Sequence, residues 1–325
     1  MTTEATPIQW FESPRLKRRS HSSFQSSCPR RSMLTALTGE REEGTIHTEF
    51  GSAYGEGAQA IMQGKTIEEA IWAAFMAFKG DFEEMQDKRN RKSFWECVDA
   101  VERFKLFWEL VAEPEYELLY FTDQFGNNVP AVELSFRLDF ADGYYFIGYI
   151  DAVLRNRITG ELVVLELKTT SDQNVPEAKY KNSNQALGYG LVLDYFAELI
   201  GAVGSSYTVL YLVYGTKEQE FSIFPFAKNA VDRVDWLRDT LNKFTFWDYY
   251  IKQRHFPKNG DACYSFGRVC NFFGQCDTDP NFISSSIQRK GFDRDEENSY
   301  HVRLSYEDMV ARQKKVIEAA KFGGL

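Results

Sequence analysis

"GYIDAVLRNRITGELVVLELKTTS", Gly148 to Ser171, is the stretch on which the reading of this chain turns. Apolar and β-branched residues dominate it, and "RNRITG" in the middle is polar, so the pattern predicts two strands joined by a tight turn. Asp151, Glu166 and Lys168 interrupt those strands. Side chains alternate along a strand. Glu166 and Lys168 therefore share a face with Leu162 and Val164, while Val163, Leu165 and Leu167 point the other way. With the turn centred near Thr159, Asp151 comes opposite Glu166. A buried charge must be paired or ligated. One salt bridge to Lys168 satisfies one carboxylate. A hard divalent cation, Mg²⁺ or Mn²⁺, held between Asp151 and Glu166 satisfies both. Such a cation turns water into a nucleophile, with Lys168 beside it as base or electrostatic clamp. A solvent-facing Glu166–Lys168 pair is the plainer alternative, and the apolar strands around it weigh against it.

Outward from this pair the chain alternates between helical and extended patterns. "TIEEAIWAAFMAFKGDF" is a helix with a Thr66–Glu69 capping box, and "RKSFWECVDAVERFKLFWELVAEP" is a second, ending near Pro114. "YELLYFTD" and "VPAVELSFRLDF" precede the central pair as strands. "YKNSNQALGYGLVLDYFAEL" follows as a helix, then "SYTVLYLVYG" and "EQEFSIFPF" as strands, then a helix beginning near Asn229. A last helix covers roughly Ser305 to Ala320. The order predicts an α/β (α+β) fold with a central mixed sheet flanked by helices. Residues 1–20 read as a flexible arm containing the basic "RLKRRS", 21–260 as a core with an N-terminal helical region, and 261–325 as a cysteine-containing segment with a closing helix.

"GYID" followed by "ELKTT" resembles the PD-(D/E)XK nuclease superfamily in its RecB-like branch, and "NQALGY" adds that branch's QxxxY motif at Gln185 and Tyr189. The resemblance implies a restriction-endonuclease-like core and a metal-dependent hydrolysis of DNA. Asp151 and Glu166 would be metal ligands, Lys168 would act beside the attacking water, and Gln185 and Tyr189 would help place DNA or that water. It also implies an acidic residue or histidine on an early helix. "FGSAYGEGAQAI" has Gly55 at the usual slot, with Glu56 adjacent as a candidate ligand. Glu133 in "VELSF" matches another recurrent acidic position.

The chain has five cysteines. Cys263, Cys270 and Cys276 fall close together, a spacing that lets thiolates converge on one centre. Cys97 lies mid-helix and reads as a core thiol, which leaves Cys28 as the candidate fourth ligand. Spacing leaves zinc, an iron–sulfur cluster and separate unliganded thiols all open. One early cysteine in "CPRR" and three late ones resemble the iron–sulfur nucleases of the AddB and CRISPR-adaptation type. That likeness implies a structural [4Fe-4S] cluster joining the N- and C-terminal segments, with Zn²⁺ the alternative. Arg30 and Arg31 would lie near DNA, and Tyr264, Phe266, Phe272 and Phe273 would shield the cluster.

The formal charge of −9 over 325 residues disfavours nucleic-acid binding across the whole surface but allows a local basic groove. No GxxxxGK[ST] phosphate loop occurs, so no motor is expected. No apolar run long enough to span a bilayer and no export signal is seen, and the expected location is cytoplasmic, host cytoplasm if phage-encoded. The expected activity is a stand-alone DNA exonuclease in phage or prokaryotic recombination or processing. A recombination or single-strand annealing partner, or an oligomer, is compatible with it. A non-cleaving DNA-binding protein of the same fold and a structure-specific endonuclease are the alternatives.

Overall fold

The computed structural model describes residues 9–39, 44–122, 126–172, 177–181, 183–200, 206–265, 268–280 and 300–322. In chain order the helices are α1 His21–Gln25, α2 Pro29–Thr38, α3 Ile46–Met62, α4 Ile67–Ala77, α5 Phe94–Phe107, α6 Ala178–Lys181, α7 Asn184–Ile200, α8 Ala230–Lys252 and α9 Tyr306–Phe322. The strands are β1 Arg18–Ser20, β2 Tyr116–Leu118, β3 Tyr120–Thr122, β4 Asn128–Pro130, β5 Val132–Asp139, β6 Tyr145–Asn156, β7 Leu162–Thr170, β8 Ser206–Gly215, β9 Glu220–Asn229, β10 Tyr264–Ser265, β11 Arg268–Val269 and β12 Val302–Ser305. The chain divides into two compact units, and β5, β6, α8 and α9 contribute residues to both.

The larger unit comprises residues 43–135, 149–236 and 309–325. Its strands make the expected mixed sheet: β6 pairs antiparallel with β2 and β7, β7 pairs parallel with β8, and β8 pairs antiparallel with β9. The parallel step requires a crossover, and α7 supplies it. One face carries Ala152, Leu154, Val163, Leu165, Leu167, Leu212 and Tyr214. These are buried in one core with Phe50 and Tyr54 of α3 and Val101 and Phe104 of α5. A Cβ on Gly57 would meet Val101 Cγ2 at 2.5 Å, so the α3–α5 approach depends on that glycine. The Thr66–Glu69 capping box forms as expected, with Thr66 N–H donating to Glu69 Oε2 at 2.8 Å. Helix α5 runs on through a π-helical turn, Trp108–Ala112, before Pro114.

The smaller unit comprises residues 1–42, 136–148 and 237–308. Residues 1–8 of the expected arm lie outside the described residues. Residues 9–20 differ from that expectation: they are built in, with Trp10, Leu16 and Arg19 buried and β1 pairing parallel with Tyr145–Ile147. The reason is chemical. The Arg19 guanidinium lies 3.4 Å over the Trp247 ring, and Trp247 Nε1 donates to Leu16 O at 2.9 Å, so the basic segment is amphipathic rather than merely solvated. β12 pairs parallel with Phe136–Asp139. Among the described residues, no helix is long and apolar enough to cross a membrane.

Candidate active site

The β6–β7 register pairs Ala152 with Leu165 and Val153 with Val164. Extended by one position it sets Asp151 opposite Glu166, as the sequence predicts, and the two side chains share the face opposite the α3–α5 core. Each carboxylate is held by a different group. Asp151 Oδ2 accepts the backbone N–H of Leu167 at 2.7 Å. Glu166 Oε1 accepts from Lys168 Nζ and, at 2.8 Å, from Gln185 Nε2. Gln185 also donates to Tyr189 Oη, one turn further along α7, and Tyr189 Oη donates to Tyr149 O at 2.7 Å. Helix and strand are thus locked together around one carboxylate oxygen.

Glu166 is 1% exposed, whereas the Lys168 side chain is 36% exposed and reaches solvent. Burial raises the pKa of Glu166, the Asp151 charge adds to it, and Lys168 only partly offsets them. Asp151 is raised for the same first reason, burial, against the pull of Lys168 and the Leu167 N–H. Burial works against the Lys168 charge, but the two carboxylates outweigh it and raise its pKa. Glu166 Oε2 is buried and has no hydrogen-bond partner. An unsatisfied carboxylate oxygen facing a second carboxylate, with oxygen donors only, fits a hard divalent cation.

Glu133 lies in electrostatic reach of both Asp151 and Glu56, and burial, partly offset by a hydrogen bond, holds its pKa up. That bond comes from Gln59 Nε2 at 2.6 Å. Gln59 is buried on α3, one turn beyond the exposed Glu56, and sequence reasoning missed it. Glu133 adopts φ 46°, a left-handed conformation costly for a side-chain-bearing residue and concentrated at functional sites. Among the described residues, no three His, Cys, Asp or Glu side chains form a metal-holding group. Asp151 and Glu166 therefore stand as a pair, with Glu133 and Glu56 further off.

A model of the PD-(D/E)XK nuclease superfamily matches residues 20–277. The chain belongs to that superfamily. Comparison with curated proteins finds no match. A solved structure titled "Crystal structure of SSO0001" is similar at 14% identity over 66% of this chain and 84% of that one, with a TM-score of 0.26, too slight a likeness to build on. In this PD-(D/E)XK chain Glu166 accepts from both Lys168 and Gln185, and Gln185 links on to Tyr189.

The cysteines lie in the smaller unit, Cys97 excepted. Cys28 caps α2, its Sγ accepting from Arg31 N at 3.5 Å. The early segment is fastened to the late one: Arg30 N donates to Pro257 O at 3.1 Å, Asn259 Nδ2 donates to Ser27 O at 3.0 Å, and Arg30 Nη2 donates to Cys276 O at 3.1 Å. Cys28 and Cys276 are in electrostatic reach of each other. Cys263 and Cys270 are joined by a backbone hydrogen bond, Cys270 N to Cys263 O at 2.8 Å. The four thiols are not gathered into a ligating group, so the expected cluster joining the two segments is not evident among the described residues. Arg30 is spent on carbonyls in this arrangement. Phe272 is buried, Tyr264 and Phe273 are exposed, and Phe266 lies outside the described residues.

Proposed function

We propose that this protein is a metal-dependent DNA exonuclease that hydrolyses phosphodiester bonds with Asp151, Glu166 and Lys168. The carrying observation is the pairing of the buried Glu166 carboxylate with the half-buried Asp151 carboxylate on one sheet face, with one oxygen of Glu166 unsatisfied and Lys168 Nζ on the other. Asp151 and Glu166 would hold Mg²⁺ or Mn²⁺, which when bound supplies Lewis-acid neutralisation of the phosphate and activates water. The protein groups do the rest. Leu167 N–H fixes Asp151, and Gln185 fixes Glu166. Lys168, half open to solvent, presents its ammonium where charge develops on the phosphate oxygens. In a nuclease of this class the leaving 3′ oxygen takes a proton, and the product keeps a 5′ phosphate.

End-labelled linear DNA and closed circular DNA, incubated with Mg²⁺, Mn²⁺ or EDTA, test this reading. Metal-dependent loss of label from linear DNA alone supports an exonuclease. Cleavage of circles would make it an endonuclease, and cleavage of neither would leave a DNA-binding protein of nuclease fold.

The RecB-like, iron–sulfur part of the proposal rests on the tie between Ser27–Arg30 and Pro257–Cys276. Cys28, Cys263, Cys270 and Cys276 would be the ligands of a structural [4Fe-4S] cluster, with Zn²⁺ the alternative. The thiols as placed do not form that site, and no step of the reaction involves it. Iron and acid-labile sulfide in anaerobically purified protein are the expected result, and zinc without iron overturns it. A role in phage or prokaryotic DNA recombination, in cytoplasm and with an annealing partner, accords with a nuclease core that carries no motor sequence.

A further inference from the structure

"DKRNRKS", Asp87 to Ser93, sets four cations in five residues, Lys88, Arg89, Arg91 and Lys92, in a chain of net charge −9. The segment is a closed loop. Asp87 N donates to Lys92 O at 2.7 Å and Lys92 N donates to Asp87 O at 3.0 Å. The Asp87 carboxylate accepts from Asn90 N at 3.1 Å and from Asn90 Nδ2 at 2.6 Å, and Arg91 turns the chain with φ 50°.

The place where this loop is fastened gives it meaning. Thr216 Oγ1 donates to Asn90 O at 2.7 Å, and Thr216 N donates to Thr170 O at 2.8 Å. Thr170 ends β7 two residues past Lys168, about 7 Å along the strand. One threonine therefore pins the basic loop to the catalytic strand, all within the larger unit.

The four cations are not equivalent. Arg91 is engaged by Glu96 at 3.1 Å. Lys92 is 4% exposed, beneath the loop, with its Nζ 5.6 Å from the Phe50 ring centroid. Lys88 and Arg89 are exposed and make no ion pair among the described residues. Two free cations thus stand beside a site that holds the carboxyl groups of Asp151, Glu166 and Glu133 and, of cations, Lys168.

We propose that the Lys88–Lys92 loop is a phosphate-backbone clamp, in which Lys88 and Arg89 grip the nucleic-acid strand next to the phosphate being cut. This rests on the nuclease reading and adds the element that draws DNA towards an acidic site. Phosphate contacts of this kind position a strand without reading its sequence. Each neutralised phosphate of a duplex contributes about 0.9 to the slope of log K against log salt.

The test is binding of a fluorescein-labelled duplex with a free end across a salt series, in the K168A background with Mg²⁺ so that no DNA is cut. K88Q/R89Q should weaken binding irrespective of sequence and reduce the slope by about 1.8. K88R/R89K should keep the slope, as should K314Q/K315Q on the exposed side of α9. An unchanged slope in K88Q/R89Q, with wild-type protein still cleaving linear DNA, overturns the clamp and leaves the nuclease reading standing. Wild-type protein that neither binds nor cleaves DNA overturns both.

Discussion

Gln185 Nε2 lies 2.8 Å from Glu166 Oε1 and is itself oriented by Tyr189, whose Oη is anchored on Tyr149 O. The motif on α7 therefore acts on the strand carboxylate, and through it on the cation the pair would hold. Outer partners of this kind are worth about 10–100-fold in metal affinity or activity. Q185A should raise the Mg²⁺ concentration needed for half-maximal cleavage by that order while leaving the KM for DNA near the parent value. Y189F should have a smaller effect in the same direction, because packing is kept and only the anchor is lost. An unaltered Mg²⁺ dependence in Q185A would sink the positioning role.

The same site should make metal-free protein sensitive to pH. Glu166 keeps its proton in the folded state at a pH where the unfolded chain has already released it. The unfolded chain then binds fewer protons than the native one, so stability falls as pH rises above the ordinary carboxylate range. E166Q removes that cost. Thermal unfolding in EDTA at neutral pH should show E166Q more stable than the parent and less dependent on pH. Mg²⁺ at about 100 times its Kd should stabilise the parent by about 2.7 kcal/mol. It should leave E166Q nearly unmoved and inactive.

The juxtaposition of Asp151 and Glu166 was legible because alternation along a strand and a tight turn fix a register, and a register fixes which residues face each other. The β7–α7–β8 crossover was legible for a similar reason, since a long apolar helical pattern separates two apolar strand patterns. Glu133 and Gln59 were only half legible. A residue at φ 46° breaks the alternation on which strand reasoning depends, and a neutral amide on a helix carries no charge signal. The arm was misread because charge dominates "RLKRRS", whereas the fold stacks Arg19 on Trp247, more than two hundred residues away in sequence, as the numbering shows. The cysteine spacing suggested convergence, but spacing carries no information on where sulfur atoms point.

Cys97 and the late cysteines should separate in reactivity. Cys97 is fully buried on α5, and burial pushes its thiol pKa up to about 12. It should resist alkylation in native protein, whereas Cys263 and Cys270, both partly exposed, should react if metal-free. Between pH 9 and 12 the unfolded chain loses the Cys97 proton and the native state keeps it, so stability falls with rising pH. The contribution is at most about 1.4 kcal/mol per pH unit for one proton. C97A should shallow that alkaline decline in denaturant melts, and an identical slope would show that another group carries it.

Arg233 is the group whose loss should hurt the larger unit most. It is wholly buried on α8, its Nε 3.3 Å from Asp194 Oδ2 and 3.0 Å from Gln313 Oε1, with Nη1 donating to Lys228 O at 2.9 Å. Gln313 also donates to Asp194, so α7, α8 and α9 meet in one polar network. The fit is tight: a Cβ on Gly190 would lie 2.9 Å from Arg233 Cδ. R233M strands a buried carboxylate and should cost about 3–5 kcal/mol at neutral pH. Burial already raises the Asp194 pKa against the pull of Arg233, so removing the guanidinium raises it further. Asp194 then escapes its charge by taking a proton, and the deficit of R233M should shrink as pH falls towards the carboxylate range. R233M/D194L, which removes both charges, should be less destabilised than R233M alone. Urea melts of the parent, D194L, R233M and R233M/D194L at two pH values measure this, and a pH-independent deficit with additive mutants would show that the pair is not coupled.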